Sequence, residues 1–170
     1  MVRTNFLKKL INFGPVILLY YLCISEIDTQ FESYFEILSF NIQLIIIYFW
    51  VLKKPGLIGS GHIFFAGFIN DVVVGFPLGT SSLSYLIVAL VATYVKNMTV
   101  NTRITTDWFT FFIAIFFANS ILYFLLSEFS EISVNITGIS YNTFFTLIFF
   151  PFFWFIFTFY NNLLTPDIHA

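Results

Sequence analysis

Apolar runs broken by short polar stops recur six times along the chain, at about residues 10–25, 35–52, 57–75, 80–95, 106–126 and 138–160. Each approaches the roughly 20 residues that a helix needs to cross about 30 Å of hydrocarbon. The pattern predicts an all-α membrane protein of six transmembrane helices. Every connecting segment is too short to bury a core of its own, so residues 1–170 read as a single polytopic domain. Residues 161–170 form a tail that is expected to be disordered. Arg3, Lys8 and Lys9 ahead of the first run give it the outline of a secretory signal. Cys23-Ile24-Ser25 is a poor small-x-small cleavage site, however, and further spans follow, so the run is read as a retained membrane helix.

Composition agrees with that pattern: 59% of residues are hydrophobic and 9% charged, against roughly 25% charged in an average soluble domain. The 26 phenylalanines carry no functional signal, because an AT-rich genome produces the same excess. One cysteine, Cys23, excludes an internal disulfide framework and a cysteine-based zinc site, and reads as a small apolar filler. The net charge of −2 matters less than where the charges fall. With the N-terminus inside, Arg3, Lys8, Lys9, Lys53, Lys54, Lys96 and Arg103, the full basic complement of seven, face the cytoplasm. Short cytoplasmic loops are enriched in Lys and Arg, so both termini are predicted to be cytoplasmic. Glu26, Asp28, Glu32, Glu36, Glu128 and Glu131 then fall in outer loops.

No Gly-rich phosphate loop or basic face suggests nucleotide or nucleic acid as a partner, and the two halves lack the paired interrupted helices of an inverted-repeat transporter. No Ser, His and Asp set and no metal-ligand spacing stands out, so neither catalysis, a cofactor nor a metal is expected. His62 reads as a packing histidine, since the other histidine, His169, is in the tail. Asn41, Gln43, Asn119 and Ser120 read as interhelical hydrogen bonders. Pro151 should kink the sixth helix, because it removes one backbone donor.

The third run is the most structured in pattern. At about 100° per residue, Gly67, Asp71 and Gly75 align, with Gly56 and Ser60 close by and Gly59, His62, Ala66 and Asn70 on the flanking arc. Ile58, Phe65, Phe68, Ile69 and Val72 form a bulky stripe suited to lipid. The small arc predicts close helix packing at Gly56, Gly59, Gly67 and Gly75, and places this helix at the centre of the bundle. Asp71 is costly there: a carboxylate at helix centre loses roughly 2.5–3.5 kcal/mol on insertion scales. No basic residue is within its reach, but Gly75-Phe76-Pro77-Leu78-Gly79 turns the chain and Thr80, Ser81 and Ser82 open the next helix with free N–H donors. Asp71 is therefore expected to accept hydrogen bonds from that helix start, whose dipole favours an anion. The competing reading is a proton relay or cation site, to which Asn70, His62 and Asn119 are the plausible additions.

The stretch from Asp71 through Gly75, Pro77, Leu78 and Gly79 resembles the MreD family, small bacterial inner-membrane proteins of the rod-shape system. Length, topology and the motif's place after the third helix extend the resemblance along nearly the whole chain. It implies a non-enzymatic multi-pass scaffold in the cell-elongation machinery. The partners it implies are an MreC-like protein, the actin-like MreB, and RodA with its transpeptidase, through which lateral peptidoglycan synthesis is positioned. It also implies a fold like the substrate-binding subunits of energy-coupling-factor vitamin transporters. Asp71, Gly75, Pro77, Leu78 and Gly79 carry over as the motif, and no catalytic residue comes with them. The alternative is a vitamin-type transporter subunit, with a small molecule held in an outward cavity.

Overall fold

The computed structural model describes residues 13–25, 40–98, 103–129 and 136–164. These residues form six α-helices: α1 (Gly14–Ile24), α2 (Ile42–Lys53), α3 (Ser60–Val74), α4 (Thr80–Met98), α5 (Ile104–Phe129) and α6 (Ile136–Leu164). Arg3, Lys8, Lys9, Glu26, Asp28, Glu32, Glu36, Glu131 and His169 lie outside the described residues, as do the expected helix starts at 10–12 and 35–39 and the tail at 165–170. Residues 161–164, expected to be disordered tail, continue α6. Two helices, α5 and α6, are long and apolar enough to cross a membrane; α1, α2 and α3 are apolar but shorter.

Successive helices run up and down. The C-terminal end of α2 meets the start of α5 through Lys53 and Asp107, and Trp50 of α2 packs edge-on against Tyr160 of α6 at 5.9 Å between ring centroids. Gly14, opening α1, lies against the Tyr160 ring. The first turn of α1 and the last turns of α6 therefore share the end that bears Lys53.

At the centre is α2, not α3 as the glycine arc suggested. Every residue from Leu44 to Leu52 is buried, enclosed by α1, α4 and α6. A helix that is apolar all the way round has no face to give to solvent. The IIIYFWVL run of α2 is such a helix, and its periodicity cannot say whether lipid or protein surrounds it. Tyr48 sits among Phe111 and Phe150, which stack on each other at 4.4 Å. Its hydroxyl pairs with Thr110, so the one polar atom of that cluster is satisfied. Of α3, only Ile63, Ala66, Gly67 and Asp71 are buried; Phe65, Phe68 and Val72 are exposed as the stripe predicts. Ile58 departs from the stripe. It lies in the turn before α3 and is buried.

Pro151 lies inside α6, which continues past it. The N–H missing at Pro151 leaves the carbonyl of Leu147 without its helical donor, and the indole Nε1 of Trp108 in α5 donates to that oxygen at 2.9 Å. Asn41 caps α2, its Oδ1 accepting from the Leu44 amide at 3.2 Å. Ser120 donates to Phe116 O within its own helix. Ser120 is therefore not the interhelical bonder expected, whereas Asn41 is one through its backbone amide, which donates to Thr146 Oγ1 of α6 at 2.8 Å. Gln43 is another, donating to Leu22 O of α1 at 3.3 Å.

Candidate functional site

Asp71 is fully buried in the last turn of α3. Its main chain and its side chain do different work. The carbonyl oxygen accepts from the amides of Gly75 and Phe76, both at 2.9 Å, which closes the helix. Gly75 is the residue just past that end, with φ +80, a left-handed conformation that a Cβ disfavours by about 1–2 kcal/mol. The carboxylate reaches forward. Oδ2 accepts from the Gly79 amide at 2.7 Å, and Oδ1 from the Ser81 amide at 2.8 Å.

Two N–H groups that a helix start leaves without partners are thus satisfied by one charged acceptor, in the geometry that the dipole favours. Gly79 takes φ +97 to aim its amide inward. Asn70 Nδ2 donates to Ser81 Oγ at 3.1 Å, and Thr80 Oγ1 donates to Pro77 O at 2.7 Å, so neighbouring polar side chains tie the same turn. The expected bonding of Asp71 to the start of the next helix is what the structure contains.

Close approach of α3 and α4 locks the turn from below. A Cβ on Gly67 would collide with the Ser82 Cα and come within 2.5 Å of the Ser82 nitrogen, so only glycine lets the α4 backbone lie there. Ser82 Oγ donates to Phe64 O at 3.0 Å across the same crossing. The other expected packing glycines differ. Gly56 and Gly59 precede α3 rather than lying on it, and a Cβ on either would meet nothing within 4 Å; the same holds at Gly75, which is there for its φ and not for packing. Within the motif, Pro77 is half-buried and Leu78 projects from the turn, 65% exposed.

A second buried carboxylate lies at the opposite end of the bundle, and sequence reasoning did not single it out. Asp107, in the first turn of α5, is fully buried. Its Oδ2 lies 3.4 Å from Lys53 Nζ and accepts from Trp154 Nε1 at 3.0 Å. Lys53 also lies over the Trp154 ring, 5.6 Å from its centroid. Oδ1 is buried with no hydrogen-bond partner among the described residues. Asp107 thus joins the end of α2 and the start of α5 to α6. The available signal was a lysine closing one apolar run and an aspartate opening another at the same predicted depth.

Of the proposed additions to an Asp71 relay or cation site, only Asn70 reaches the turn. His62 is exposed and pairs through Nδ1 with the Tyr20 hydroxyl at 3.2 Å, and Asn119 donates to Thr143 of α6 at 2.6 Å, an interhelical bond as expected. No family model, no curated protein and no solved structure matches the chain.

Proposed function

We propose that the protein is a six-span membrane scaffold of the MreD type, with both termini in the cytoplasm of a bacterium, that supports rod shape by binding an MreC-like protein. Through it the scaffold meets MreB, RodA and the transpeptidase partner. The observation that carries this reading is the 71–81 turn: the buried Asp71 carboxylate holds two of its backbone amides and the Asp71 carbonyl two more, while Leu78 stands exposed at its tip. Exposed Phe109, Phe116, Phe124, Phe152, Phe155 and Phe159 on α5 and α6 suit contact with lipid. Lys53, Lys54, Lys96 and Arg103 close or open helices on one side, as positive-inside topology requires.

Copurification of the full chain with the MreC-like protein of the same cell tests the reading. Leu78→Asp should lower the yield of the complex several-fold while leaving the level of the chain itself unchanged. Preserved rod shape after depletion, or a stoichiometric small molecule in native mass spectrometry, overturns it.

A further inference from the structure

Resting on that membrane reading, the geometry points to the groove between α5 and α6 as a seat for one transmembrane helix of another chain, recognised by a hydrogen-bonding side chain at mid-depth. The groove, of about 390 Å³, is lined by Phe116, Asn119 and Tyr123 of α5 and by Ile139, Thr143 and Phe144 of α6, among others. Its walls are apolar and aromatic, but its floor is not.

Asn119 uses one amide hydrogen on Thr143 Oγ1. Thr143 in turn donates to Ile139 O, so its hydroxyl is spent within the fold. An asparagine amide carries two donors and an acceptor, and among the described residues nothing pairs with the second hydrogen or with Oδ1. The hydroxyls of Ser120 and Ser140 are committed to carbonyls of their own helices. One donor and one acceptor of Asn119 therefore face the groove side by side, and among the described residues the Tyr123 hydroxyl, one turn nearer the end of α5, is the other uncommitted polar group of its lining.

Depth decides what can answer them. Asn119 is about 15 Å from the nearer end of α5, at 1.5 Å per residue, whereas the headgroup zone is only roughly 5–8 Å thick on each side. A lipid headgroup stays above it, and an acyl chain offers no hydrogen bond. A polar group left to hydrocarbon is costly, so the occupant brings its own: Ser, Thr, Asn or Gln at the middle of an apolar helix. A single helix offers the ridge that a groove between two helices accepts. The occupant is thus one transmembrane helix of another chain, with small side chains flanking one such residue.

The test uses the full chain in phosphatidylethanolamine and phosphatidylglycerol vesicles. The probe is a labelled synthetic Leu/Ala helix of about 20 residues with one central Asn, compared with the same helix carrying Leu there. Energy transfer should show the Asn helix binding at least about tenfold more tightly, and Asn119→Leu should abolish that preference. Ser140→Trp, at an exposed position, should block docking without touching the Asn119–Thr143 bond, so a folding defect at Asn119 does not decide the outcome. Equal binding of both probes to the wild type overturns the assignment, as does a disulfide between two full chains carrying Ser140→Cys in place of one to a probe with cysteine beside its Asn. Copurification separates this from the scaffold reading. If the Asn helix docks but the MreC-like protein fails to copurify, the groove stands and the scaffold falls. If the MreC-like protein copurifies and the probes bind alike, the groove falls and the scaffold stands.

Discussion

Asp71 and Asp107 are both fully buried aspartates, yet they are neutralised by opposite means. Asp71 is held by backbone amides of its own turn, at 2.7 and 2.8 Å. Asp107 is held by side chains from two other helices, a lysine at 3.4 Å and an indole at 3.0 Å. Backbone donors cannot withdraw when the acceptor is lost. Lys53 can, because its long stem lets a partly exposed ammonium swing out of the bundle. The first arrangement fixes a shape; the second joins the end of α2 and the start of α5 to α6 through side chains.

The difference predicts a ranking of substitutions, each measured as resistance to unfolding in detergent. Asp71→Leu should be the most damaging, on the order of 3–5 kcal/mol, because it strands two buried N–H groups. Asp71→Asn keeps one acceptor and should lose about 1–3 kcal/mol. If Asp71→Leu unfolds like the wild type, the account of the turn fails outright.

Gly67→Ala comes next, at about 2–3 kcal/mol, since the added methyl must push the α4 backbone away. A loss confined to this site, with the Gly79 and Ser81 amides still protected from hydrogen exchange, would show that the crossing and the carboxylate act separately. At the other end, Lys53→Met alone should cost about 2 kcal/mol by leaving a buried charge half-paired. The double variant Lys53→Met/Asp107→Leu should recover most of that, because an apolar pair of similar size often replaces a buried ion pair at little cost. Failure of the double variant to recover would mean that the lost acceptor of Trp154 Nε1 outweighs the relief of the ion pair. The smallest effects separate two kinds of glycine. Gly75→Ala should lose about 1 kcal/mol through its left-handed φ, whereas Gly56→Ala should change stability by less than about 0.5 kcal/mol.

The contrast also explains what could be read in advance. Asp71, its turn and its donors lie within eleven consecutive residues, so the acceptor, the Gly and Pro breakers and the helix start could be assembled from local chemistry. The partners of Asp107 are scattered: Trp154 is 47 positions away, and no local pattern links it to Lys53. A helical arc that includes Gly56 and Gly59 extends too far back, because α3 begins only at Ser60. The wheel puts Gly56 close to the Gly67 line and Gly59 on its flank; in the turn before the helix both face open space.

Taken by itself, the amino-acid pattern determined an all-helical chain, the approximate extent of its helices, and the turn pinned by Asp71, because these depend on contacts a few residues apart. Only the tertiary structure decided that α2 is the enclosed helix, that Trp108 satisfies the carbonyl freed by Pro151, that Lys53 and Trp154 converge on Asp107, and that Asn119 opens onto a groove. Apolar residues carry the same signature whether they meet lipid or protein. Which of them meet each other is set by how the helices pack, and that information is not local.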